Sequence, residues 1–240
     1  MSNNVSDHQK KQIIYGLHGW SVGGDTQAKW QPMVESLAKV NIELKMLVIP
    51  GLDTPLHQVW TIDDYVNWLA ATLPNKPVWL LGHSFGGQLS IRFASLHTNR
   101  VRGLILIDSA GIRDVSFKMN LKRNIFGSLA QLGKGLRGVN SVRGVFYRII
   151  REHDYLEAPP ELRATMSNVI LYDVLLDLPK IECQTEIIWG KDDKVTPLWM
   201  GRQIHDKLPN SQLTIINSAR HSPQFTHHNQ VCRLVSTALK

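Results

Sequence analysis

Cysteine is nearly missing from this chain: its 240 residues hold only Cys183 and Cys232. Two thiols make no disulfide framework, and there is no CxxC pair for a redox motif or a zinc ribbon. Both read as reduced, mostly buried thiols, which points to the cytoplasm. Long apolar runs are missing too. No window approaches the ~18 apolar residues of a spanning helix, so no transmembrane segment is expected. The opening stretch "MSNNVSDHQKKQ" is polar and lacks the apolar centre of a secretion signal. Ten histidines are scattered, and the one local group, His221, His227 and His228, has no cysteine or carboxylate at metal-ligand spacing. A metal site is not expected. Internal repeats and low-complexity linkers are also lacking.

What remains is ordinary globular material, 43% hydrophobic and 20% charged. The length suits one sizeable α/β domain with room for an insertion. The net charge of +7 is uneven: between Ile112 and Leu156 nine basic residues face three acidic ones, so that segment alone carries +6. Its bases are not interleaved with stacking aromatics, so nucleic acid is not the expected partner. An acidic carrier protein or an anionic surface fits better. Within it Leu121, Ile125, Leu129, Leu132 and Leu136 form an apolar stripe at helical spacing. The plainest reading packs this stripe over a site and leaves the bases solvated. Gly127, Gly133 and Gly135 weaken a continuous helix that would lie on a membrane. "GKGLRG" (133–138) matches GxGxxG by letter, but it follows a helical stretch rather than a strand, so no dinucleotide loop is read.

Elsewhere short apolar runs alternate with helical patterns. Strands are predicted at 13–19, 44–51, 78–82, 103–111, 185–190 and 213–217. Helices are predicted near 30–39, 62–72, 85–97, 197–207 and 224–239. That alternation implies an α/β fold with a parallel sheet flanked by helices. It breaks over 112–178, which reads as an inserted helical cap. The core is then 1–111 together with 179–240.

The stretch "WLLGHSFGGQLSIRF" (79–93) places Ser84 among Gly82, Gly86 and Gly87, where a strand period gives way to a helical one. Small neighbours let a strand turn sharply into a helix and present the hydroxyl at the tip. The backbone N–H of Phe85, at the helix start, then points at any oxyanion formed there. A serine alone is a weak nucleophile and needs a base and an orienting acid. "WGKDDKVTP" (189–197) and "SARHSPQF" (218–225) supply candidates in the order Ser…Asp…His. Asp192 and Asp193 are adjacent and only one can face the histidine; spacing favours Asp193. Asp108, ending "LILID", is a further alternative, though a capping role suits it better. His83 reads as packing or as a hydrogen-bonding support for the site, and His18 as a stabiliser of the loop beside the oxyanion.

Taken together, "LHGW" with Trp30 beyond it, "GHSFGG", "WGKDDKVTP" and "ARHSP" resemble the α/β-hydrolase family, in particular its capped, esterase-like members. The resemblance implies a six-stranded parallel sheet with an inserted helical cap. It puts the nucleophile on Ser84, the base on His221, the acid on Asp193, and the second oxyanion N–H on Trp20. It implies carboxylic ester hydrolysis through an acyl-enzyme, with no cofactor. Where the family often has a glycine-rich GxGxS turn, this chain has "PGLDTP" (50–55), which leaves the contacts at that rim open. The tail after "SARHSP" together with "LHGW" is similar to that of esterases acting on a pimeloyl-acyl-carrier-protein methyl ester. Two other outcomes share the same serine, histidine and aspartate: hydrolysis of a C–C bond in a vinylogous diketone, and a non-catalytic ligand receptor.

Overall fold

The computed structural model describes residues 11–21, 25–113 and 158–240. Six strands, β1 (Gln12–Leu17), β2 (Ile42–Met46), β3 (Val78–His83), β4 (Val101–Ile107), β5 (Gln184–Gly190) and β6 (Ser211–Ile216), form one sheet in the order β2-β1-β3-β4-β5-β6. Every pairing is parallel. The helices are α1 (Thr26–Ala38), α2 (Ile62–Thr72), α3 (Phe85–Leu96), α4 (Pro160–Leu171), α5 (Leu198–Lys207), α6 (Pro223–Thr226) and α7 (His228–Ala238).

The strands are buried on both sides because successive side chains point to opposite faces. Leu104 and Leu106 of β4 and Ile187 and Trp189 of β5 join the core beneath α2, α3 and α5. Their neighbours Ile105, Ile107 and Ile188 join the opposite core, with Trp30, Met33 and Leu37 of α1 and Val231 and Val235 of α7. This is why those segments read as unbroken apolar runs. Local signals set the helix starts: Thr61 and Asp64 exchange side-chain-to-backbone hydrogen bonds in a capping box that opens α2.

Several predicted elements differ. The strand expected at 103–111 is β4, Val101–Ile107, and the helix expected near 30–39 is α1, which already starts at Thr26. The strand expected at 44–51 is β2, Ile42–Met46, because the chain after it leaves the sheet for a tight turn. In that turn Asp53 Oδ2 accepts the Ile49 N–H at 2.6 Å, and Gly51 takes a positive φ of 86°. The single helix expected at 224–239 is α6 and α7, separated at His227, whose φ of −129° is not helical.

Of the proposed cap, 112–113 and 158–178 are described: α4 and a 3₁₀ turn, Val174–Leu176, with a second turn, Leu178–Lys180, at its far boundary. It is tied to α3 by Gln88, whose amide donates to the carbonyls of Val169 and Tyr172, and by Arg92, which pairs with Asp177 at 2.8 Å. The basic segment, its apolar stripe and "GKGLRG" fall in 114–157, outside the described residues apart from Arg113. Among the described residues no helix is long and apolar enough to cross a membrane.

The chain runs outward from β1 to β2 and then returns to β3 on the other side of β1. Strand order reverses there, so the carboxyl ends of β1 and β3 lie side by side at the point where open α/β sheets place their ligand sites. His18, Gly19 and Trp20 follow β1, and Ser84 follows β3.

Candidate active site

Ser84 stands between β3 and α3 with φ 52° and ψ −115°, a conformation that costs a non-glycine residue about 1–3 kcal/mol. The surroundings hold it there. Its N–H donates to the Ile107 carbonyl, and its own carbonyl accepts from Gly87, Gln88 and Ala110. Gly86 lets this corner form, because a Cβ on it would collide with the Leu17 and His18 carbonyls. The start of α3 thereby lies directly against the end of β1.

His221 reaches this corner from the loop after β6. Its Nε2 is 3.0 Å from Ser84 Oγ and its Nδ1 is 2.8 Å from Asp193 Oδ2. Asp193 is buried while the adjacent Asp192 is exposed. The Asp193 carboxylate is held from its own loop: Oδ1 accepts the N–H of Val195 and Thr196, and Oδ2 accepts the Thr196 hydroxyl at 2.7 Å. Thr196 was not singled out in the sequence, although it sits inside "WGKDDKVTP". An aspartate followed by a hydroxyl two to three residues on is the available local signal, through Asx-turn chemistry.

His83 donates from Nε2 to the His221 carbonyl at 2.8 Å, which steadies the backbone beneath the second histidine. Burial, with the neighbouring His221 charge, pushes the His83 pKa down to about 3, so this ring stays neutral. Asp108 is fully buried. Burial first, and then the charge of Asp193, pushes its pKa up to about 9. It is therefore protonated at neutral pH. One of its oxygens accepts the Gly190 N–H, and the other has no hydrogen-bond partner among the described residues. His83, Asp108 and His221 each offer an atom within 4.8 Å of the others, as metal ligands would. These donors are committed elsewhere, however. Both His221 nitrogens face Ser84 and Asp193, and His83 Nε2 serves a carbonyl.

Beside Ser84, Gly19 packs so closely that a Cβ on it would lie 2.8 Å from His83 Nδ1 and 3.0 Å from Ser84 Cβ. Trp20 follows, its ring edge-on to Phe85 with centroids 5.4 Å apart. Tyr65 and Trp60 continue this aromatic wall, at 5.2 Å and 4.9 Å between successive centroids. The two residues expected to offer backbone N–H groups thus adjoin the serine corner. "PGLDTP" contributes a partner for His18: Asp53 Oδ2 lies 2.8 Å from its Nε2. Gln224, three residues after His221, is buried with neither amide atom hydrogen-bonded among the described residues, and nothing in the sequence pattern marked it.

A model of the alpha/beta hydrolase fold family matches residues 23–142. The pimeloyl-acyl-carrier-protein methyl ester esterase of Neisseria meningitidis serogroup A is 24% identical over 240 residues, covering 93% of this chain and 75% of that protein. Monoacylglycerol lipase ABHD6 of Homo sapiens is 25% identical, covering 94% of this chain and 74% of that protein. Among solved structures, a serine hydrolase involved in carbazole degradation superposes with a TM-score of 0.70 at 20% identity, covering 96% of this chain and 91% of that one.

Proposed function

This chain belongs to the α/β-hydrolase fold family, and on that footing we propose that it is a serine hydrolase cleaving a carboxylic ester through an acyl-enzyme on Ser84. His221 takes the Ser84 proton as Oγ attacks the acyl carbonyl. Asp193 holds the imidazole with its hydrogen on Nδ1 and balances the cation that forms. The backbone N–H groups of Trp20 and Phe85 hold the oxyanion, each donor worth ~10²-fold or more in rate. His221 then passes the proton to the departing alkoxide, and water repeats the sequence to release the acid. No cofactor enters these steps. The observation that carries this reading is the line of contacts from Asp193 through His221 to Ser84, at 2.8 Å and 3.0 Å.

The test is hydrolysis of p-nitrophenyl esters from acetate to decanoate by wild type and Ser84→Ala. Turnover in the wild type and a loss of ~10³-fold or more in the variant are expected. The chain-length optimum sizes the acyl pocket. A folded but inactive wild type would shift the reading to C–C cleavage, to a carrier-bound substrate or to a receptor.

The relatives named as pimeloyl-acyl-carrier-protein methyl ester esterases support a narrower proposal: a cytoplasmic enzyme whose ester is presented on an acidic carrier protein. The inserted cap, 112–178, supplies the complementary charge, +6 between Ile112 and Leu156. Replacing Arg143, Arg148 and Arg151 with glutamate should lower kcat/KM for a carrier-linked ester far more than for a p-nitrophenyl ester. Equal losses on both would remove the docking role.

A further inference from the structure

His18 forms a second histidine–aspartate pair that the ester mechanism above does not use. Its Nε2 lies 2.8 Å from Asp53 Oδ2, and its Nδ1 lies 2.7 Å from the Gly19 carbonyl oxygen. Both partners only accept. Burial pushes the Asp53 carboxyl up, but hydrogen bonds from His18 and the Ile49 N–H outweigh it and hold the group below its ordinary range, so it is ionised. A backbone carbonyl has no hydrogen to give. A ring with one hydrogen satisfies only one of these contacts and sets lone pair against lone pair at the other. Hydrogen on both nitrogens satisfies both, with Asp53 balancing the charge.

The Gly19 carbonyl belongs to the same peptide unit as the Trp20 N–H. That unit is planar and trans, so its C=O and N–H point in opposite directions, and fixing one fixes the other. A charged donor on the carbonyl also polarises the unit and strengthens its N–H as a donor. We propose that the Asp53–His18 pair is a clamp that aims and polarises the Gly19–Trp20 peptide, making His18 and Asp53 positioning residues for the oxyanion donor beside Ser84. Three features support the clamp. Gly19 lies against Ser84 and His83, so the peptide it orients is at the reacting corner. The His18 side chain is only 3% exposed, which shields the charge from solvent screening. Asp53 is itself anchored at 2.6 Å by the Ile49 N–H. Among the described residues, the titratable groups around this ring are Asp53 from the turn after β2 and His83 from β3.

The clamp rests on the serine hydrolase reading, and its test separates the two. The whole protein is treated with a fluorophosphonate. Ser84 Oγ bonds to phosphorus, the Ser84 proton passes to His221, and fluoride leaves. The reaction needs the nucleophile and the oxyanion donors but no particular ester. Asp53→Asn should slow phosphonylation about 10- to 100-fold, less than the ~10²- to 10³-fold expected for deleting a donor outright. For p-nitrophenyl butyrate kcat should fall in parallel with little change in KM, because the contact is realised at the tetrahedral stage. A packing defect alone would not change the ring, so ¹⁵N imidazole spectra, assigned with His18→Gln, give the independent readout. Both His18 nitrogens should carry hydrogen in the wild type, and one should lose it in Asp53→Asn. A wild-type His18 with a bare Nδ1 overturns the clamp, and so does a folded Asp53→Asn that reacts at the wild-type rate. If Asp53→Asn does not fold, the wild-type spectrum still decides. A wild type inert to phosphonate and ester overturns the serine reading instead, and the spectrum again decides the clamp.

Discussion

Two histidine–aspartate pairs lie at the carboxyl end of this sheet, and their contact distances are the same. His221 Nδ1 is 2.8 Å from Asp193, and His18 Nε2 is 2.8 Å from Asp53. They differ in what the other ring nitrogen meets. For His221 it is the Ser84 hydroxyl, which can give up a proton, and for His18 it is the Gly19 carbonyl, which can only accept. Burial is distributed differently as well. The His221 side chain is 20% exposed over a sealed aspartate, whereas the His18 side chain is 3% exposed and its aspartate 19%. One ring is open to an incoming reactant and the other is closed. The pair itself therefore specifies no job. Under the proposed mechanism, the far nitrogen and the ring's exposure separate a proton carrier from a clamp.

Disabling each aspartate in turn sharpens that contrast. Asp193→Asn keeps the shape of the site but offers an amide to a ring that must carry its hydrogen on Nδ1. By analogy with the same change in a serine protease triad, kcat for p-nitrophenyl esters should fall by ~10⁴-fold. A steady-state comparison with wild type at pH 7 to 8 checks this. The Asp53→Asn loss, about 10- to 100-fold in phosphonylation, should sit well below it. Equal losses would mean the two pairs act as one unit, and the comparison would fail.

The sequence carried the first pair much better than the second. Ser84 and His221 lie in short motifs whose local chemistry, a serine between glycines and a histidine after a strand, makes them stand out. Asp193 needed a choice against Asp192; in the fold Asp193 is buried and Asp192 exposed. The Asp53–His18 contact spans 35 residues and depends on how the turn after β2 folds back. That turn is also where the strand prediction overran, because the apolar run 46–49 looks like sheet until the Asp53 carboxylate takes the Ile49 N–H. The same residue thus explains an error in the fold reading and a partner missing from the site reading. Strands β3, β4 and β5 were legible to within two residues at their starts, since burial on both faces leaves a continuous apolar run. Thr196 was in view but silent, because a hydroxyl acquires its role only when the loop brings it to Asp193.

Asp108 is the third aspartate of this corner and has no histidine of its own. Burial and the Asp193 charge raise its pKa to about 9 from the ordinary 3.8. The folded protein therefore keeps a proton that the unfolded chain releases above about pH 4. Stability from this group is complete below that point, falls as pH rises, and levels off once pH passes the folded value near 9. Asp108→Asn has no such proton to hold. It replaces the protonated carboxyl with a neutral group of the same shape, and its oxygen can still accept the Gly190 N–H. Melting temperatures between about pH 5 and pH 9 should show the variant gaining on wild type steadily as pH rises. Its ester turnover at neutral pH should stay close to wild type, the smallest change of the three aspartate variants. If Asp108→Asn instead loses as much activity as Asp193→Asn, Asp108 is ionised and shares the His221 ring. The division of labour would then lie among three carboxyls rather than between two pairs.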